Sequence, residues 1–143
     1  MIYLNNLNRL KNIANSHIFV NQCTTGNVYE EWNSGENRYP AINIAPTSVS
    51  VLGDSITLSV TMTYADRLMD NEQNRDVVQD KAIEVLTQII KKYEEDGYTL
   101  DNQYNMVLYT QKFADLLAGA YTELNINCFI PSYCGDNDYF VEE

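Results

Sequence analysis

The segment Ser48-Val49-Ser50-Val51-Leu52-Gly53-Asp54-Ser55-Ile56-Thr57-Leu58-Ser59-Val60-Thr61-Met62-Thr63-Tyr64 alternates apolar and hydroxyl-bearing residues, with one break at Gly53-Asp54. A period of two sends side chains to opposite faces of a strand. Ile56, Leu58, Val60, Met62 and Tyr64 then share one face, and Thr57, Ser59, Thr61 and Thr63 the other. Gly-Asp suits the centre of a type II′ turn, whose first residue takes a positive φ. A turn there sets Leu52 opposite Ser55, Val51 opposite Ile56, Ser50 opposite Thr57 and Val49 opposite Leu58. Apolar residues then meet apolar ones and hydroxyls meet hydroxyls, a match that a slip of one residue would destroy. The reading is a long antiparallel hairpin with one buried face and Gly53 and Asp54 as its structural turn.

A competing reading comes from Gly53-Asp54-Ser55-Ile56-Thr57, which resembles the nucleophile block of GDSL-type esterases, and from Gly135-Asp136-Asn137-Asp138, which resembles their later G-x-N-D block. That resemblance implies a Ser55 nucleophile served by a histidine from a C-terminal D-x-x-H block. The single histidine, His17, precedes the serine, and only Tyr139, Phe140, Val141, Glu142 and Glu143 follow Asp138. The family's serine also ends a strand and opens a helix, whereas alternation here continues past Ser55. The turn is preferred, and no catalytic residue is assigned.

At 143 residues the chain has the length of one domain. Such a chain buries roughly 68–70% of its unfolded surface. Asparagines interrupt the apolar residues of the N-terminus, so no signal-peptide core forms. No run approaches the roughly 18 apolar residues of a membrane span. A soluble protein made in a cytoplasm is expected. Cys23, Cys128 and Cys134 are odd in number and read as free thiols. His17 with these three cysteines supplies four zinc-type ligands, but their spacing matches no knuckle pattern, so no metal or cofactor is assigned.

The net charge is −11, from nine basic and twenty acidic residues. Basic residues stand singly apart from Lys91-Lys92, so nothing would neutralise a row of phosphates. Specific nucleic-acid binding is therefore not expected. Carboxylates gather at Asp66, Asp70, Glu72 and Asp76, and again over 135–143, where Asp136, Asp138, Glu142 and Glu143 lack any base. Arg67 and Arg75 lie within the first group, which reads as a solvated loop rather than a cation site.

Around the hairpin the order is helix, three strands, helix, loop, strand. Ile2 to Ser16 forms a helix whose stripe is Tyr3, Leu7, Leu10 and Ala14. Ile18 to Cys23 has β character, and Val28 to Trp32 reads as another extended piece. Tyr39 to Ala45 is a short strand flanked by Pro40 and Pro46, hence at an edge. A long helix runs from Asn71 to about Asp96, capped by Asp70 with Gln73, and buries Val78, Ala82, Val85, Leu86, Ile89 and Tyr93. Gly97 suits its C-terminal cap. Residues 97–112 read as an irregular or partly extended excursion and Phe113 to Leu117 as a helical turn. A last strand begins at Thr122. The fold class is α+β: a mainly antiparallel sheet with a long hairpin, one face covered by the N-terminal and central helices. Residues 1–134 form the domain, and 135–143 an acidic C-terminal tail.

Pro40-Ala41-Ile42-Asn43-Ile44-Ala45-Pro46, the hairpin, the Tyr64-Ala65-Asp66-Arg67-Leu68 exit, the acidic helix start and Phe113-Ala114-Asp115-Leu116-Leu117-Ala118-Gly119 follow one another in an order similar to small tail-completion or tail-terminator proteins of tailed bacteriophages, including crAss-like phages. The resemblance implies a virion structural protein. It would form an oligomeric ring at the neck or tail and touch connector, portal or tail proteins while DNA passes through unbound. The candidate interface or lumen residues are Asp66, Arg67, Asp70, Glu72, Asp136, Asp138, Glu142 and Glu143. The family pattern has no place for the 135–143 tail, which is either a loose end or an arm on a neighbouring subunit. A non-enzymatic interaction module of the same fold is the alternative function, and a GDSL-like hydrolase comes third.

Overall fold

The computed structural model describes the backbone of residues 2–28, 32, 37–53, 55–69, 73–95, 99–100, 104–112 and 116–129. Its elements are α1 (Ile2–Ser16), β1 (Gln22–Thr25), β2 (Ala41–Leu52), β3 (Ser55–Arg67), α2 (Arg75–Glu95), β4 (Thr99–Leu100), β5 (Met106–Lys112) and β6 (Leu116–Phe129). The six strands form one sheet in the order β1-β2-β3-β6, with β4 and β5 both paired along the outer side of β6. Every pairing is antiparallel except β1 with β2. The α+β class is as expected.

The hairpin has the expected register: Leu52 faces Ser55, Val51 faces Ile56, Ser50 faces Thr57 and Val49 faces Leu58. Gly53 has φ +59°, the sign its turn position requires. Asp54 lies outside the described residues. β2 is longer than expected and fuses the short strand at 39–45 with the first arm of the hairpin. Pro46 is accommodated because β1 pairs only with Ala41 to Ile44, leaving the ladder side of Pro46 free of a partner strand among the described residues. A register shift between Pro46 and Ser48 absorbs Thr47, whose hydroxyl donates to the Ser59 carbonyl at 3.0 Å. The edge expectation therefore holds past Ile44 and fails before it.

One sheet face carries the main core. Ile42, Ile44, Leu58, Val60, Met62, Tyr64, Ala118, Ala120, Leu124 and Ile126 pack under Val78, Ala82, Val85, Leu86, Ile89, Ile90 and Tyr93 of α2, with Leu10, Ile13 and Ala14 of α1. The expected α2 face is thus correct, and Ile90 adds to it. Asn6 is buried among these apolar groups because its Oδ1 accepts the Tyr93 hydroxyl at 3.0 Å, tying the two helices together.

Several boundaries differ from expectation. β1 starts at Gln22, since residues 17–20 form a turn in which Val20 N donates to the His17 carbonyl. Val28 and Trp32 have helical backbone instead of extended. The α2 helix begins at Arg75 rather than Asn71. Asn74 precedes its first turn, its carbonyl accepting from Val78 N. The Asn74 side chain reaches back, accepting from Met69 N at 2.7 Å and donating to the Arg67 carbonyl at 3.0 Å. Asp70, Glu72 and Gly97, expected at the helix ends, lie outside the described residues. The extended part of 97–112 includes a regular strand at 106–112, and Leu116 and Leu117 already belong to β6, not to a helical turn. Missing alternation hid both, because Met106-Val107-Leu108-Tyr109 and Leu116-Leu117-Ala118 are unbroken apolar runs with no period of two.

Gly119 of β6 joins a cross-strand row of small residues: Ala41 faces Ala65, Ala65 faces Gly119 and Gly119 faces Tyr109. The row lies on the face away from the helices. Trp32, fully buried, packs there with Ala41, Ala65 and Leu117, flanked by Val28, Tyr39 and Tyr109. Beside Gly119 the Tyr64 carbonyl leaves no room: a Cβ on Gly119 would stand 1.9 Å from that oxygen. The Tyr109 hydroxyl fills the space instead and donates to the Tyr64 carbonyl at 2.8 Å, an aromatic ring covering a glycine.

Leu86→Asp should abolish the cooperative urea transition by burying an unpaired charge, whereas Glu84→Lys, on the exposed side of α2, should shift stability by less than about 0.5 kcal/mol. Gly119→Ala should cost about 2–4 kcal/mol through overpacking against backbone that cannot yield, and Tyr109→Phe about 1–2 kcal/mol through the lost hydrogen bond. Equal urea midpoints for Gly119→Ala and the unaltered chain would show that the β3–β6 approach is looser than described.

Candidate functional site

Ser55 opens β3 next to the turn, paired with Leu52 on one side and Phe129 on the other. His17 follows α1, with both ring nitrogens engaged. Its Nδ1 accepts from Phe19 N at 3.1 Å, which places the proton of the neutral ring on Nε2, donating to Gln88 Oε1 at 2.6 Å. The two residues that a hydrolase would join are thus used separately, one in a strand pair and one in a clamp between α1 and α2.

The face away from the helices is polar beyond the Trp32 cluster. Ser50, Thr57 and Asn127 form one cross-strand row, and Ser48, Ser59 and Asn125 the next. Thr57 donates to Asn127 Oδ1 at 3.0 Å and Ser59 to Asn125 Oδ1 at 2.7 Å. The amide oxygens therefore satisfy the hydroxyls inside the sheet, and the exposed Glu123, paired with Thr61 in the next row, is the charged group beside them. Nearer β1, buried Asn43 accepts from Thr24 Oγ1 at 2.7 Å and donates to the Gly26 carbonyl at 2.9 Å.

The hairpin outruns the helices. Val49, Val51 and Leu52 are 54%, 63% and 84% exposed, although Val49 and Val51 share the face that is buried further down the strands. Across the sheet, Val107 and Leu108 of β5 are 45% and 49% exposed. Among the described residues no strand pairs with the outer side of β2 beyond Ile44 or with the outer side of β5. From Ala45 to Leu52 there is no charged side chain, and from Met106 to Lys112 only Lys112. Isolated edges are usually guarded by charge; the β2 edge carries none, and the β5 edge has Lys112, with its Tyr109 carbonyl accepting from Gln79 Nε2 of α2 at 3.1 Å.

Of the candidate interface residues, Asp66 and Arg67 are described, both at the exit of β3. The Asp66 carboxylate accepts from Arg67 N at 2.8 Å; burial raises its pKa above the ordinary value, and the neighbouring Arg67 partly offsets this. The Arg67 guanidinium lies 5.2 Å from the Tyr39 ring centroid, a cation–π stack. With Asn21, Asn37, Arg38 and Tyr39 it lines an open pocket of about 390 Å³. Arg38 and Asn21 were missed in the sequence, where nothing signals that the loops before β1 and β2 converge on the end of β3. Asp70, Glu72, Asp136, Asp138, Glu142 and Glu143 lie outside the described residues. The ends to which the two acidic groups attach are known, however: Arg67 at one end of the sheet, and Phe129, paired with Ser55, at the other.

No group of three or more metal-ligating side chains exists among the described residues, and no helix there is long and apolar enough to cross a membrane. Cys23 is a free thiol in β1 whose burial, tempered by Lys11, pushes it up to about 11. Comparison with protein-family models gives no match, and neither does comparison with curated proteins.

At pH 8 the Cys23 thiolate should be scarce, so iodoacetamide should modify it about a hundredfold more slowly in the native chain than in urea, as read by peptide mass mapping. Native and unfolded rates within a factor of three would show Cys23 to be solvated.

Proposed function

We propose that this chain is a non-enzymatic structural subunit that closes, copy upon copy, into an oligomeric ring, the role implied by its likeness to phage tail-completion proteins. The single observation that carries the reading is the pair of edges on opposite sides of one sheet that have no strand partner among the described residues. Because the β2 and β5 edges differ in sequence, contact between them is heterologous, and a heterologous contact of suitable angle closes into a ring. The overhanging Val49, Val51 and Leu52 lend such a contact apolar area beyond the backbone hydrogen bonds. A neck or tail position in a virion, with connector, portal or tail proteins above and below, follows from the same likeness.

The charge supports the same role. At −11 per copy, the ring repels phosphates over roughly a Debye length, about 8 Å at physiological salt. Duplex DNA is thus free to pass through and should show no measurable affinity at roughly 150 mM salt.

Light scattering should give one closed multiple of the 16.4 kDa chain, alone or with a neighbouring tail or connector protein. Val51→Lys and Leu108→Lys each disable a different edge, so each variant alone should stay monomeric. Mixed, they retain one intact edge of each kind and should stop at a dimer. A chain that stays monomeric at high concentration and is absent from particles would sink the ring, and tight, salt-sensitive DNA binding would sink the passive channel.

A further inference from the structure

The geometry points to a neutral-oligosaccharide site on the sheet face away from the helices, in an open depression of about 380 Å³ lined by Tyr104, Asn105, Val107, Tyr121, Glu123 and Asn125. Tyr121, Glu123 and Asn125 take alternate positions on β6, so they share one face at a spacing of about 7 Å. Val107 stands opposite Tyr121 on β5. The walls are fixed without a ligand. Tyr121 rests against the Tyr109 ring with centroids 6.2 Å apart, and Tyr109 is itself tied to the Tyr64 carbonyl at 2.8 Å. The Thr122 hydroxyl donates to the Asn105 carbonyl at 2.8 Å and holds the entry of β5 against β6. Ser59 donates to Asn125 Oδ1 at 2.7 Å, which sets the amide plane and leaves both Nδ2 hydrogens without a partner among the described residues. Exposed Glu123 forms no ion pair among the described residues.

Each wall narrows the ligand. The Tyr121 ring, in a residue 39% exposed, offers an apolar face with a polar tip. The Asn125 N–H groups call for an acceptor and the Glu123 carboxylate for a donor. A hydroxyl supplies both, and a pyranose carries hydroxyls around a face of C–H groups that stacks on a tyrosine ring. Anionic ligands are turned away by Glu123 in a chain of net charge −11, since no Lys or Arg lines the depression. A quaternary ammonium would leave the amide donors unanswered, and a purely apolar ligand would strand the carboxylate as well. The polar groups extend along β6 for about 13 Å, which suits a short chain of sugars better than a single ring. The ring contact uses the outer edges of β2 and β5, whereas these groups stand on the face of the sheet, so the site does not depend on the ring.

The test adds cellohexaose, maltohexaose, mannohexaose and chitohexaose singly to the full-length chain and follows each by saturation-transfer NMR, which reads the ligand and so serves a monomer or a ring alike. At least one of them should bind, with transfer strongest at the ring C–H protons. Tyr121→Ala and Glu123→Ala should each weaken that binding about tenfold, whereas Tyr121→Phe should keep most of it. Both side chains are exposed, so the variants should keep the urea midpoint of the unaltered chain. Val51→Lys, at the far hairpin, should bind as the unaltered chain does. Failure of all four sugars to bind, or binding undiminished in Tyr121→Ala or Glu123→Ala, would overturn the proposal. So would binding of a heparin hexasaccharide or of a trimethyl-lysine peptide in place of the neutral sugars, since either would show that charge and not hydroxyl chemistry selects the ligand.

Discussion

The row Ala41–Ala65–Gly119 is a constraint made of absent atoms. Across three adjacent strands the side chains are a methyl, a methyl and a hydrogen, which lowers the sheet surface enough for Trp32 and Tyr109 to lie along it. Trp32 closes the face opposite the helices and so holds the connection between β1 and β2 against the sheet. Tyr109 anchors β5 to β3 through the intervening β6 by donating to the Tyr64 carbonyl. A larger residue at Gly119 would meet backbone, and backbone paired on both sides has little freedom to retreat.

With that end of the sheet plugged on both faces, the two ends of the molecule differ in kind. At the Arg67 end, the Tyr109 hydroxyl and the Asn21 and Asn37 amides are fixed by short hydrogen bonds, and the Arg67 guanidinium lies over the Tyr39 ring. At the Gly53 end, the hairpin carries apolar side chains past the last helical turn. Between them the outer face is a grid of hydroxyls bonded to asparagine amides. Such a surface is polar, with the exposed Glu123 as its charge, and it neither attracts phosphates nor needs a covering layer.

What could be read from the sequence was whatever repeats. The alternation from Ser48 to Tyr64 gave the register of the hairpin pair by pair, and the 3.6-residue spacing from Val78 to Tyr93 gave the buried face of α2. Elements set by distant partners escaped. β5 carries weak alternation because one side of it has no strand neighbour, and Leu116 and Leu117 look helical until Gly119 is known to sit beneath an aromatic ring. Asn74 displaced the expected helix start because its side chain ties the helix entry back to the end of β3, a role that spacing cannot signal. The pocket at Arg38 was equally invisible, since its walls come from three separated segments. The hydrolase-like block, in contrast, was legible as a turn because its neighbours kept alternating through the serine.

The position of β6 has a consequence for biogenesis. It is the last described strand in the chain, yet it lies inside the sheet, between β3 and the β4–β5 side. Until it has left the ribosome, β3 has a bare side, α2 lacks much of the surface it packs on, and β5 lacks the strand it pairs with among the described residues. The nascent chain therefore cannot complete its core in stages, and maturation waits on contacts between residues about sixty apart, the slow kind for a folding chain. Until that closure, two apolar strands are exposed to neighbouring polysomes, which makes chaperone capture or premature aggregation the main hazard in producing the protein.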